Sequence, residues 1–147
     1  MLNESIEVQL RAVLPCPDGC AVFLGDAKKV FVIYVDPNIG QLLALSIGTQ
    51  KRDRPLTHDL MANIFGGFGI SLQRMVINDA AGTTFYARII LKMENELGVK
   101  MVEVDARPSD AMLLSMNARR PIAVATALWN KLPDATKQME KLLSKKN

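Results

Sequence analysis

"DARPSDAMLLSM", residues 105–116, follows an apolar-rich run, "VKMVEV" (99–104), and leads into a helical pattern, so it reads as a strand-to-helix turn. Proline fixes φ near the helical value and lacks an amide donor that a first turn could not use, so Pro108 suits the first helical position. A second stretch has the same plan. "VDPNIGQLLALS" (35–46) superposes on "ARPSDAMLLSMN" (106–117) with Pro37 over Pro108, Gly40 over Ala111 and Leu43 over Leu114. Three β-rich runs precede each copy, which makes a duplicated unit of the otherwise weak match.

Working outward, "IEVQLRAVL" (6–14) alternates, with Ile6, Val8, Leu10 and Leu14 on one face of a half-buried strand. "CAVFLG" (20–25) and "VFVIYV" (30–35), joined by "DAKK", read as a hairpin, as do "ISLQRMVIND" (70–79) and "TFYARIILK" (84–92). Between the two units, "THDLMANIFGGFG" (57–69) is a helix with Thr57 as N-cap, an apolar face of Leu60, Met61, Ile64 and Phe65, and glycines at its end. Pro121 stops the helix of the second unit, "IAVA" (122–125) is a short strand, and helix resumes from about Thr126. In the tail Met139, Leu142 and Leu143 share one helical face. The expected fold is α+β: two pseudo-repeated β-β-β-α units, a mostly antiparallel sheet and a C-terminal helical tail. Residues 1–126 form the expected domain, and 127–147 a helical extension packed on it.

A chain of 147 residues with 49% hydrophobic and 22% charged residues is the size and composition of one globular domain. No signal peptide or membrane span is legible, and a cytoplasmic protein is expected. The net charge of +3 accommodates a polyanionic partner without requiring one. Cationic clusters stand at "KRDR" (51–54) and "ARR" (118–120). Cys16 and Cys20 flank a Pro-Asp-Gly turn and are expected to face each other across a hairpin as reduced thiols. Two cysteines and one histidine are too few for a structural zinc site.

Two short strings carry the chemistry. In "DARPSDA", Asp105 and Asp110 could hold a divalent metal, Arg107 could clamp a phosphate, and Ser109 with the helix's free amides could bind its oxygens. The alternative is a brace: Ser109 and Asp110 satisfying first-turn donors while Arg107 pairs with a neighbouring carboxylate. In "RPLTHDL" (54–60), His58 is the sole histidine, so any imidazole acid–base chemistry in the chain must be its own. Asp59 is a catalytic candidate or a dipole partner, and Arg54 a phosphate ligand or half of an ion pair. Convergence of the two helix starts would make one mixed-charge cleft.

"RPLTHDLM", "RMVINDAAGTTFYARIIL" and above all "VDARPSDA…PIAV" resemble the bifunctional nuclease family, over roughly residues 6–125. The resemblance implies a nuclease hydrolysing RNA and DNA with little sequence specificity. Its catalytic residues would be His58, Asp59, Asp105 and Asp110, and its substrate-binding residues Arg54, Arg107 and Ser109. A divalent metal such as Mg or Mn would be the cofactor, held by Asp105 and Asp110. An RNA or DNA substrate is the expected partner, and a homo-oligomer stays open beside the monomer. One departure favours the alternative of a non-catalytic nucleic-acid- or anion-binding module: Ile39-Gly40 stands where the family writes Glu-Ala.

Overall fold

The computed structural model describes residues 4–48 and 52–146. Lys51 of the "KRDR" run and the expected domain limits at 1 and 147 lie outside them. Three strands, β1 (Ser5–Cys16), β2 (Gly19–Gly25) and β3 (Val30–Val35), lead into α1 (Pro37–Ile47). After α2 (Thr57–Gly67) the plan repeats as β4 (Ile70–Ala81), β5 (Thr84–Asn95), β6 (Gly98–Ala106) and α3 (Pro108–Asn117). The chain closes with β7 (Ile122–Ala125), α4 (Thr126–Lys131) and α5 (Thr136–Lys146).

The strands form one sheet in the order β3-β2-β1-β7-β4-β5-β6. Two antiparallel meanders therefore flank β7, which is antiparallel to β1 and parallel to β4. The duplication is visible in burial as well as order. Each meander ends in a proline-started helix, and the matched positions Gly40 and Ala111, Leu43 and Leu114 are all buried. This is the α+β architecture that the alternating strand runs implied.

A bulge between Leu10 and Ala12 changes the sequence reading of β1. Strand side chains alternate with period two, so one extra residue flips every later side chain to the other face. Val8 accordingly lies in the main core with Val22, Leu43 and Met75, while Leu14 lies across the sheet with Phe23, Val30 and Met139. The same bulge lets β1 change partners: Ser5–Val8 pair with β7 and Gln9–Cys16 with β2. The sheet curls as a result. Phe31 of β3 and Phe85 of β5 have ring centroids 5.9 Å apart, although five strand spacings would separate them by roughly 24 Å in a flat sheet.

α1 and α3 cover the inner face of this curl, and α5, with Ala135 just before it, covers the outer face of the first meander through Met139 and Leu142. Leu143, expected beside them, is 40% exposed. Asp134 starts α5 by accepting from Thr136, and its carboxylate also accepts from the Val30 amide at 3.2 Å. With the Ala135 amide donating to the Val30 carbonyl at 2.8 Å, part of the free edge of β3 is closed.

The two thiols do not face each other. Cys16 is opposite Gly19 and Pro15 opposite Cys20, so the alternation puts the sulfurs on opposite faces of the hairpin. Cys20 is buried against α1, and that burial, with Cys16 nearby, pushes its thiol pKa up.

Candidate functional site

α2 begins one residue earlier than its best capping side chain suggested. The N-cap is Leu56 and not Thr57, and a hydrocarbon side chain can accept nothing from the first turn. The reciprocal half of the cap remains: the Leu56 amide donates to Asp59 Oδ2 at 2.9 Å. Arg52 Nε donates to the same oxygen at 3.1 Å, and Asn117 Nδ2, from the end of α3, reaches Asp59 Oδ1 at 3.5 Å. Burial works against the charged carboxylate, but the Leu56 amide, His58 and Arg52 outweigh it and hold Asp59 below the usual carboxylate range.

His58 is 7% exposed behind Asp59, with its Nε2 against Arg52 Nη2. A guanidinium can only donate, so Nε2 carries the lone pair and the ring proton is on Nδ1. The contact of 3.3 Å between Nε2 and Asp59 Oδ1 then joins two acceptors, and becomes an ion pair only in the protonated ring. Burial is the largest influence on His58 and lowers its pKa from 6.5; Arg52 adds to this, while Asp59 and Asp110 oppose it. At pH 7 the imidazole is neutral, and its basic nitrogen is engaged by Arg52.

A cavity of about 770 Å³ opens in front of Asp59. Its polar walls are Arg52, Asp59 and Asn63 from the second helix and the segment before it, with Asn117 and Arg119 from the end of α3. Leu45, Ile47, Pro55 and Met116 supply an apolar wall. Arg119 adopts φ 55°, the left-handed conformation that ends a helix and is usually given to glycine or asparagine. That conformation costs a residue with a Cβ roughly 1 kcal/mol. Arg119→Gly is therefore expected to raise stability by about 0.5–1 kcal/mol in chemical denaturation, while weakening oligonucleotide binding. A variant that binds as well as the parent would remove Arg119 from the site.

The "DARPSDA" string lies at the other end of α3 from this cavity. Arg107 is the N-cap and Pro108 the first helical residue, as expected, but no side chain caps the helix. Asp110 instead receives a fork from Arg107, Nε to Oδ2 at 2.7 Å and Nη2 to Oδ1 at 3.2 Å. Ser109 is 5% exposed and so is not presented to a phosphate in solution. Asp105 sits opposite Arg88, whose neighbours Ala87 and Ile89 are buried in the core, so Asp105 and Arg88 occupy the sheet face turned away from α3. Asp105 and Asp110 thus do not converge. Among the described residues no three of His, Cys, Asp and Glu stand close enough together to hold a metal ion. With both Asp110 oxygens accepting from Arg107, the expected donors do not fit a resident Mg or Mn ion.

The two strings meet only through their fields: His58 feels the charge of Asp110, while no hydrogen bond among the described residues joins them. The expected cation Arg54 is exposed and outside the cavity wall; Arg52, two residues earlier in the same "KRDR" run, holds that place. Asn63 and Asn117 carried no signal of their own, being ordinary polar residues on helices. Ile39, where the resemblance led us to expect an acid, packs against the main core. Asp110→Asn keeps the helix start and breaks only an exposed fork (the two side chains are 67% and 48% exposed), so it should change stability by about 0–1 kcal/mol. Thermal melting and cleavage on one preparation check this, and a large loss of cleavage would return the active site to "DARPSDA".

A sequence model of the bifunctional nuclease domain matches residues 22–135. The chain belongs to the bifunctional nuclease domain family. Membership places it with nuclease-like or nucleic-acid-binding domains. Two uncharacterized proteins of Mycobacterium tuberculosis, from strains CDC 1551 / Oshkosh and ATCC 25618 / H37Rv, are each 34% identical over 94 residues. The alignments cover 61% of this chain and 53% of each relative, so the chain spans about half the length of the curated relatives it matches. No helix among the described residues is long and apolar enough to cross a membrane.

Proposed function

We propose that this domain is a nuclease that hydrolyses phosphodiester bonds of RNA and DNA with little sequence specificity, from the cavity walled by Arg52, Asp59 and Arg119. The supporting observation is a carboxylate held ionised in a cavity that two guanidiniums also line. Hydrolysis of a phosphodiester needs a positioned water and cationic stabilisation of the phosphoryl oxygens as charge builds on them. Asp59 would orient the water through the oxygen that Asn117 touches only at 3.5 Å. Arg52 spends one N–H on Asp59 and one on His58, leaving three of its five for a phosphate. Arg119 would take a second phosphoryl oxygen or the adjacent phosphate. Contacts from Arg52 and Arg119 to phosphates would position a strand without reading its bases, in keeping with little sequence specificity.

One observation favours a binding module without catalysis. The basic nitrogen of His58 is occupied by Arg52 and both Asp59 oxygens have partners, so a strong general base is lacking. Labelled single-stranded RNA and DNA separate the two readings when binding and cleavage are followed together. Two arginine contacts to a single strand give a slope of about −1.4 in log affinity against log salt, at ~0.7 per contact. Cleavage of both strands that persists in EDTA supports the nuclease; salt-dependent binding with no cleavage supports the binding module. Neither binding nor cleavage would refute both.

A further inference from the structure

We propose that a pocket between the β1–β2 turn and α5 binds a free nucleoside phosphate, its base against Tyr34 and Leu142 and its phosphate between Lys141 and Lys145. The pocket encloses about 450 Å³, within the roughly 300–1,000 Å³ that small-molecule sites occupy. It is distinct from the cavity at Asp59. Cys20 and Val35 pair beside the β1–β2 turn, and α1 runs from there to Leu45 and Ile47 in the wall of the Asp59 cavity. At about 1.5 Å per residue that helix separates its two ends by roughly 15 Å. The pocket also opens on the outer face of the sheet, where α5 lies.

Three elements bring its chemistry together. Along β3, Val30, Val32 and Tyr34 alternate onto the outer face; the two valines pack with Met139 and Leu142, while Tyr34 stays 57% exposed. The side-chain amide of Gln138 donates to the phenol oxygen of Tyr34, which ties the ring to α5. On α5, Gln138, Lys141, Leu142 and Lys145 follow at the spacing of one helical face, so both ammonium groups line the pocket beside Leu142. The β1–β2 turn adds Asp18 and the half-buried thiol of Cys16. An adjoining hollow of about 400 Å³ shares Cys16, Leu142 and Lys145 and extends the apolar floor to Leu14.

These groups select a ligand with three parts. A flat π-face suits Tyr34, because stacking on an aromatic side chain accepts any base. Two ammonium groups one helical turn apart suit an oxygen-rich anion, which lysine binds as a point charge. Asp18 repels a bare polyanion and can only accept, so the ligand must also bring hydroxyl or amino donors. A nucleoside phosphate has all three in its base, its phosphate and the hydroxyls of its sugar. Among the described residues of the lining only Lys141 and Lys145 are cationic, too few for the basic groove that tracks a strand's backbone. The free nucleotide fits better.

Titration calorimetry on the whole chain tests this, with adenosine and guanosine 5′-monophosphate, inorganic phosphate and a single-stranded oligonucleotide as separate probes. Saturable binding of the mononucleotides is expected, weakened about five- to tenfold by either Lys141→Ala or Lys145→Ala. Tyr34→Ala should weaken it by a similar factor, and Tyr34→Phe, which keeps the ring, should retain most of the affinity. All three side chains are exposed, so these variants should fold. Lys28→Ala, in the turn at the other end of β2, should bind as the parent does. Cys20 is buried, so a nucleotide should slow alkylation of Cys16 alone by iodoacetamide, several-fold. Binding lost in Arg52→Ala but unchanged when both lysines are replaced would put the ligand in the Asp59 cavity and overturn the proposal. So would binding of the oligonucleotide without the mononucleotides, which makes the pocket part of a strand's path. Phosphate bound as tightly as the nucleotides would leave Tyr34 no part and overturn it too, as would no binding at millimolar nucleotide.

Discussion

Asp59→Asn is expected to lower cleavage of single-stranded RNA and DNA by about 10²–10⁴-fold, the range that a positioned acid–base group contributes. The substitution is a narrow one. Asparagine keeps one acceptor oxygen for the Leu56 amide, so the start of α2 survives at a cost on the order of 1 kcal/mol. What it removes is the negative charge, which Arg52, the Leu56 amide and Asn117 now surround. Oligonucleotide binding should hold or tighten, because a carboxylate has left the cavity proposed to receive phosphates and Arg52 has lost its ion-pair partner. Loss of cleavage with binding intact assigns Asp59 to the chemical step. Cleavage at the parental rate would move catalysis out of this cavity, and loss of binding together with folding would make Asp59 a structural carboxylate.

The element order and the duplication were legible because hydrophobic period and proline placement are local properties, and nothing in the tertiary structure overrode them. The site was less legible for a physical reason. "DARPSDA" gathers its charges within one turn, and charges that close in sequence satisfy one another: Arg107 and Asp110 form their fork at three residues' separation. The cavity is built from residues far apart in the chain. Asp59 and Asn117 meet from two helices, and no pattern along the chain announces that meeting. "KRDR" pointed to the right neighbourhood, yet Arg52 and Arg54 differ only in which way the segment turns before α2. Face assignment failed where a bulge intervened, as at Leu14, and where hairpin register put Cys16 opposite Gly19 instead of Cys20.

Gly40→Ala is expected to cost stability, and its reason lies in Cys20. A Cβ at position 40 would fall 2.4 Å from Cys20 Sγ and 2.5 Å from its Cβ, nearer than real Cβ atoms approach anything. α1 therefore sits as close to β2 as it does because residue 40 has no side chain. Overpacking a filled core costs about 1–3 kcal/mol, and more when backbone must move. Helix propensity works the other way, favouring alanine over glycine by roughly 1 kcal/mol. The net loss for Gly40→Ala is thus expected near the low end, about 1–2 kcal/mol. Cys20→Ala does not relieve it, because the Cβ is itself in the way; Cys20→Gly does. In a double-mutant cycle the pair Cys20→Gly with Gly40→Ala should recover at least about 1 kcal/mol relative to the sum of the single changes. Additive losses in urea denaturation would show that α1 yields by sliding over β2, and that the close approach at Gly40 is a consequence of the helix's position and not its cause.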